Sequence, residues 1–566
     1  MKKIFMYVLI VGAFFKSIYV YGFGEKTIFG IRSQGLDSVL ELAGWQQNIY
    51  KYDQDSNYGT LALAVKYTRS VDSGKIANFL FGGKSLRFSG SRAEREPDDI
   101  LADYFGLPTD FASVVHVSPH ISNVIIDFDW FQAFDAYLPG LFIMVHMPVV
   151  QTKWNLYFCE LVANPGTNFF PAGYMSDARI PASQLPHSVE QAMRGNTIFG
   201  DMDQPLKYGK IFGRQTLGRI AELQATIGWN YNQPWYHAGV SFRVGAPTGN
   251  APDSEFLFEA IVGNRHHWDI GFGLSGHVNV WERKEEGRRI AMYIDAHISH
   301  LCTSEQKRSF DFTKNGNGSR YMLLEQIESP SQGLLVGGTI AKNQYIGNLA
   351  PAINYTTLDT KISIGVQADI LFKLAYQRDG FEIDLGYNFW VNSKEKLHCR
   401  QPFIEDRFAL KGDAQVYGFT SDNNALELNA TQSMATILAG QGAGNTNFRN
   451  LNVDNQAVAS STDPVLNPVT QLNAEDAVAL GIAQASVSGS NPAILLTNND
   501  INDTSGILPR ALSHKVFGYM GYLWDNRDDF DPYFGIGLSG EFANTNPCNN
   551  AMCSQWAIWM KGGIAY

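Results

Sequence analysis

Charge is what this chain has least of. Only 17% of its 566 residues are Asp, Glu, Lys or Arg, against ~25% in an ordinary soluble protein. No basic run offsets the net charge of -11, so nothing could neutralise a phosphate backbone and a nucleic-acid partner is not expected. Cysteine is scarce as well. Five residues are too few for a disulfide-built scaffold of this length. Beyond the N-terminus no stretch reaches 18 apolar residues, and the best, 138–150, is interrupted by His146 and Pro148. A bilayer-spanning helix, which needs ~20 such residues, is therefore absent from the expectation.

Lys2 and Lys3 precede a short apolar core from Ile4 to Phe15, and Val20-Tyr21-Gly22 offers a small-residue cleavage site. Residues 1–22 read as an export signal. What the rest of the chain has in abundance is a period of two. From Lys361 to Tyr376 the even positions are Ile362, Ile364, Val366, Ala368, Ile370, Phe372, Leu374 and Tyr376, while the odd ones include Lys361, Asp369 and Lys373. Asp379-Gly380 supplies a tight turn. The phase then inverts, with Phe381, Ile383, Leu385, Tyr387, Phe389 and Val391 apolar and Glu382 and Asp384 between them. These strands exceed the ~5–6 residues of a soluble strand and reach the ~9–11 that a tilted membrane strand requires.

The alternation recurs near 60–67, 123–130, 222–229, 236–244, 270–280, 290–298, 516–524, 530–542 and 555–566, with less regular strands at 79–89 and 141–158. Short connections near 70–74, 134–138, 230–234, 283–287, 377–380 and 525–529 alternate with long ones. Aromatics crowd the short ones: Tyr67, Trp130, Trp229, Tyr236, Trp281, Tyr376, Phe381, Trp524 and Phe530. The pattern predicts an all-β fold, a transmembrane antiparallel β-barrel of about fourteen strands (range twelve to sixteen) in a bacterial outer membrane. Short turns would face the periplasm and long loops the exterior. Thirteen strands are readable, and Trp45 to Tyr52 is the candidate for the fourteenth. Residues 23–44 would form a periplasmic or plug segment, with helix-like composition over 37–47. Residues 45–566 would form the barrel, carrying a large loop insertion at about 393–513 that is rich in Asn, Ala, Ser, Gly and Thr.

The chain ends Lys561-Gly562-Gly563-Ile564-Ala565-Tyr566, with Met560 and Ile558 continuing the alternation. This resembles the terminal strand that the barrel-assembly machinery recognises in Gram-negative outer-membrane proteins of the porin-like class. It departs from the pattern in ending on Tyr rather than Phe and in the offset of its glycines. The resemblance implies that machinery and outer-membrane lipid as partners.

Inward-facing charges define the candidate lumen: Lys66, Asp127, Asp129, Glu222, Arg243, Asp269, His277, Asp295, His297, Lys361, Asp369, Lys373, Glu382, Asp384, Glu541 and Lys561. Their acidic excess points to mild cation selectivity. Such a lumen predicts passive diffusion of small hydrophilic solutes through a monomer or homo-trimer, with no catalytic residue, cofactor or metal. Three alternatives differ in kind. One is a hydrophobic-substrate barrel resembling fatty-acid transporters, with residues 37–47 as its plug. Another is a surface or adhesion protein that displays residues 393–513. A third, an embedded hydrolase, would use Ser275, His277, Asp295 and His297, which a hairpin brings together. Two G-x-G-x-x-G matches, at 271–276 and 535–540, sit inside alternating strand and so read as barrel wall rather than phosphate loops. Cys548 and Cys553 are spaced for a short disulfide in an oxidising compartment, and Cys159, Cys302 and Cys399 fall at outer strand ends.

Overall fold

The fold is seen in a computed structural model that describes residues 23–52, 56–328, 333–336, 339–342, 345–412, 414–419, 425–427, 431–438, 493–524 and 530–566. The expected signal at 1–22 and the middle of the insertion, 439–492, lie outside these residues. Twelve antiparallel strands form the wall: β1 (Tyr58–Ser70), β2 (His120–Ala133), β3 (Leu141–Asn155), β4 (Leu223–Asn232), β5 (Tyr236–Ala246), β6 (Asp269–Arg283), β7 (Arg288–Ser309), β8 (Thr357–Arg378), β9 (Phe381–Asn392), β10 (Ala511–Leu523), β11 (Asp531–Phe542) and β12 (Gln555–Ala565). Each pairs with its sequence neighbour, and β12 pairs back onto β1 from Thr60↔Ala565 to Ser70↔Gln555, so the sheet closes without an edge. Closure satisfies every backbone ladder in a medium that offers no water. Among the described residues no helix is long and apolar enough to cross a membrane.

The alternation does what its period requires. Leu61, Leu63 and Val65 on β1 face outward beside Ile126 and Phe128 on β2, all large apolar side chains left exposed, while Ala62, Ala64 and Lys66 are buried inside. In water such a belt would drive aggregation; around a barrel it is the lipid face. At the β8–β9 turn Asp379 and Gly380 both take positive φ, 48° and 83°, the geometry that matches the strand twist.

Three expectations need correction. The barrel has twelve strands, the lower bound of the expected range rather than its central value of fourteen. Trp45–Tyr52 is no strand: Gln46–Ile49 is helical and lies inside the barrel. Residues 79–89 are not wall either, because Ser73–Phe81 is helical and Ser85–Ser89 joins a small sheet with Ile100–Leu101, Ala112–His116 and Cys159–Asn164 above the barrel. The connection at 70–74 therefore opens a long segment, and β1 starts at the end where the short turns gather instead of running towards it. Tyr67 accordingly sits at the outer end against Trp556. Trp130, by contrast, donates to the hydroxyl of Tyr566 (3.0 Å) at the end where the short turns gather.

Two wall strands continue beyond a break. Arg214–Ile220 extends the line of β4 along β3, and Glu395–Arg400 extends β9 along β8. The outer segments fold over the barrel as a cap with its own core, which includes Phe29, Phe79, Phe88, Phe105 and Tyr321. The start of the expected insertion belongs to this cap, where Phe408–Leu410 pairs with Leu323–Ile327.

Candidate functional site

A wall of about eight strands can be filled by its own side chains, whereas 16–18 leave a water channel. Twelve leave a space, and residues 23–52 fill it. Phe23 packs on Tyr321 in the cap with ring centroids 4.6 Å apart, and Gly24 donates its N–H to the Leu80 carbonyl (2.9 Å). The chain then runs down the lumen. Its Tyr50 stacks on His237 at 3.6 Å at the short-turn end, and β1 begins at Tyr58. Two helices lie on this path, α1 (Ser38–Leu42) and α2 (Gln46–Ile49). Neither is long enough to hold together alone, so the wall must hold them.

It does so with the inward charges. Arg32 donates to Asp369 (2.6 Å) and to Asn388 (2.9 Å) and lies 3.7 Å from Glu541. Asp37 accepts from Lys66 and, at 3.0 Å, from Lys515. The Ser38 hydroxyl donates to Asp369 (2.7 Å), and Ser33 donates to Glu222. Glu41 is bound by Arg243 (2.7 Å). Lys561 donates to the carbonyls of Leu40 (2.8 Å) and Glu41 (2.7 Å). Asp384 accepts from Lys373 (3.1 Å), from the Gly44 N–H (3.1 Å) and from Gln46 (3.2 Å), while Lys373 also reaches the Leu42 carbonyl (3.1 Å). In a wet pore such pairs would be worth ~0–1 kcal/mol each. Dry and packed, losing one partner costs about 3–5 kcal/mol.

Below this lattice the contact turns apolar. Trp45 donates to the Tyr533 hydroxyl (2.7 Å), lies under the Lys561 ammonium and meets Phe131 edge-on. Leu42, Ile49, Phe142, Tyr293 and Trp559 complete that cluster. The Tyr519 hydroxyl rests against three glycines, Gly44 of the plug, Gly521 of β10 and Gly535 of β11. Gly44 also has φ +70°, so a side chain there would be both clashing and strained. Gly535 belongs to one of the glycine motifs, and both motifs lie within wall strands. A cavity of about 50 Å³ remains between plug and wall, lined by apolar residues such as Trp45, Phe131 and Phe142 and by polar ones such as Glu41, Asp295 and His297.

The remaining candidates separate by place. Asp127 and Asp129 meet His146 inside β2 and β3. Asp269 and Glu382 are buried in the wall. His277 faces His237 across β5 and β6. Lys361 is not in the lumen. Register shifts between Ser299 and Ser304 on β7 invert the inward phase opposite the upper half of β8. Lys361 therefore projects beside Glu305 (3.0 Å) into an outer cleft of about 620 Å³ with Lys307, Asp359, Cys399 and Arg400. The hairpin places Ser275 opposite Asp295 in register, but the side chains of the expected Ser–His–Asp grouping take different partners. Ser275 is 3.3 Å from His237, whereas Asp295 and His297 contact each other (3.0 Å) and His297 meets Arg243. Arg32, Asp37, Glu41, His146 and Lys515 carry no signal in the pattern, because nothing in the sequence says which residue each would meet.

The cysteine pairing also fails. All five cysteines are free. Cys548 stays at the surface and donates to Glu25 (3.2 Å), while Cys553 turns into the cap core. Burial, with Glu541 nearby, pushes the Cys553 thiol up to about 12. A maleimide at neutral pH should label exposed Cys159, Cys399 and Cys548 in the folded protein and reach Cys553 only after denaturation, read by mass spectrometry. Labelling of native Cys553 would contradict its placement.

A closed strand cylinder, an apolar outer belt and turns of unequal length at its two ends mark the fold as that of a membrane-spanning β-barrel. No family profile and no curated protein matches it. Among solved structures, an outer membrane channel from Pseudomonas putida F1 is similar over 92% of this chain and 98% of its own, at 8% identity and TM-score 0.32. A Pseudomonas aeruginosa FadL homologue aligns over 90% of each chain at 7% identity and TM-score 0.25. The Pseudomonas putida toluene transporter TodX aligns over 96% of this barrel and 97% of its own chain, at 9% identity and TM-score 0.25. Likeness this distant leaves function to be read from this barrel's own geometry.

Proposed function

We propose that this barrel is a gated channel that passes small apolar or amphipathic molecules when its N-terminal plug shifts. The observation that carries the reading is the filled lumen. Residues 31–49 are almost wholly buried inside the wall, so hydrophilic solutes have no standing water path. The lumen charges that suggested cation selectivity are largely spent on gripping the plug. Where the plug is held by packing instead, the lining is aromatic and aliphatic, a surface that favours apolar solutes over ions. The wall remains fixed while the plug, attached by short helices and ion pairs, is the element able to move.

Proteoliposomes test this directly. Swelling in small sugars should stay at the level of empty vesicles, while an apolar fluorescent probe enters faster than into protein-free controls. Sugar-driven swelling by the intact chain would restore the open-porin reading. The extracellular cap, with its own hydrophobic core, supports a second reading as a surface anchor. That reading gains if neither solute class crosses.

A further inference from the structure

One group in the lumen is not spent on the plug lattice. Asp127 and Asp129 point inward from β2, and His146, register partner of Asp129, points inward from β3. All three are at most 2% exposed. His146 Nε2 lies 3.1 Å from the carbonyl oxygen of Gly35 in the plug. A carbonyl only accepts, so Nε2 carries a hydrogen, and with a cation in place of a proton Nδ1 would turn its lone pair to the same point as the carboxylates. Asp129 Oδ1 is 2.6 Å from Nδ1 and Asp127 Oδ1 is 3.3 Å away. Asp127 Oδ1 and Asp129 Oδ2 have no hydrogen-bond partner. The converging ligand atoms all lie within 4.8 Å of one another.

A single proton on Nδ1 would satisfy Asp129 Oδ1 and leave the other two buried oxygens without partners. A divalent cation would satisfy the whole set. We propose that Asp127, Asp129 and His146 form a site for a divalent transition-metal ion of the zinc class, which braces the wall against the plug at Gly35. One imidazole and two carboxylates suit Zn²⁺ and its first-row neighbours better than Mg²⁺ or Ca²⁺, which prefer all-oxygen shells. The Gly35 carbonyl plays the part that outer partners play at metal-bound histidines, fixing tautomer and ring orientation. Gln224 donates to the same carbonyl (2.9 Å). Opposite on β1 stand Ala62 and Ala64, small enough to leave room. The charges that face the group are Lys561, held by the carbonyls of Leu40 and Glu41; Glu41, already bound by Arg243; and Glu222, which accepts from Ser33 and Gln224. The inference does not depend on which solute the channel carries.

The full-length protein would be stripped with EDTA, equilibrated with Zn²⁺, freed of excess metal and analysed by inductively coupled plasma mass spectrometry. The wild type should retain about one Zn²⁺ per chain, and His146→Gln or Asp127→Asn should weaken retention about 10–100-fold. His277→Gln, which alters the other histidine pair, should leave retention unchanged. Co²⁺ should give the visible absorption of a low-coordinate nitrogen–oxygen set in the wild type and lose it in His146→Gln. Should either variant fail to fold, the wild-type stoichiometry decides alone. A stripped and reloaded wild type without zinc overturns the proposal and leaves a proton in that place. So does zinc held equally by His277→Gln and His146→Gln at full wild-type level.

Discussion

A chain that begins at residue 53 should conduct where the whole protein does not. The plug fills the lumen along its length, and no wall side chain spans a twelve-stranded interior by itself. With residues 23–52 gone, the inward charges Lys66, Arg243, Asp369, Lys373, Asp384 and Lys561 lose their plug partners and regain water. The barrel should then show stable open steps in a planar bilayer, and small-sugar swelling should rise at least about tenfold, as pore radius dictates. The strands should still close, because β1 pairs with β2 and β12 without help from the plug. The heat-dependent gel mobility of folded barrels provides that control. A folded truncation that conducts no better than the intact chain would locate the barrier in the cap instead. If the released charges do filter ions, the sign of selectivity is read from the same bilayer under a salt gradient.

Replacing Asp384 should have the next largest effect. Its carboxylate accepts from Lys373, from the Gly44 N–H and from Gln46. Asp384→Ala leaves a fully buried ammonium, still donating to Leu42 and Gln46, without its counter-charge and two plug donors without their acceptor, at a cost of about 3–5 kcal/mol. The loss should appear as a lower melting temperature and as flickering conductance from a loosened plug. The double variant Asp384→Leu with Lys373→Met removes both charges together. It should recover about half or more of the lost stability, since an apolar pair of similar volume replaces an ion pair at little net cost. A double variant as unstable as the single one would mean that the plug hydrogen bonds, not the unpaired lysine, carry the penalty.

Much of the architecture is legible in the residues because alternation is local. The pattern over 361–391 predicts a hairpin, and the strands span Thr357–Arg378 and Phe381–Asn392, because period two and a positive-φ turn need no distant partner. Where a segment can bury its apolar face in more than one way, local pattern misleads. Trp45–Tyr52 has aromatic residues suited to a strand, yet it meets a ready-made aromatic lumen and coils there as part of a plug. Ser73–Phe81 likewise finds a cap core. Lys361 fits the inward phase of its strand, and only irregular pairing with β7 turns it outward.

The residues by themselves determined that this protein closes a sheet with one oily and one wet face, which requires a membrane. They could not determine whether the wet face would line a channel or grip a plug. Arg32 and Asp369 are 337 positions apart, and no periodicity connects them. A charge that faces inward is solvated or paired according to what else occupies the lumen, and that is decided only when the closed wall brings residues 31–52 within reach.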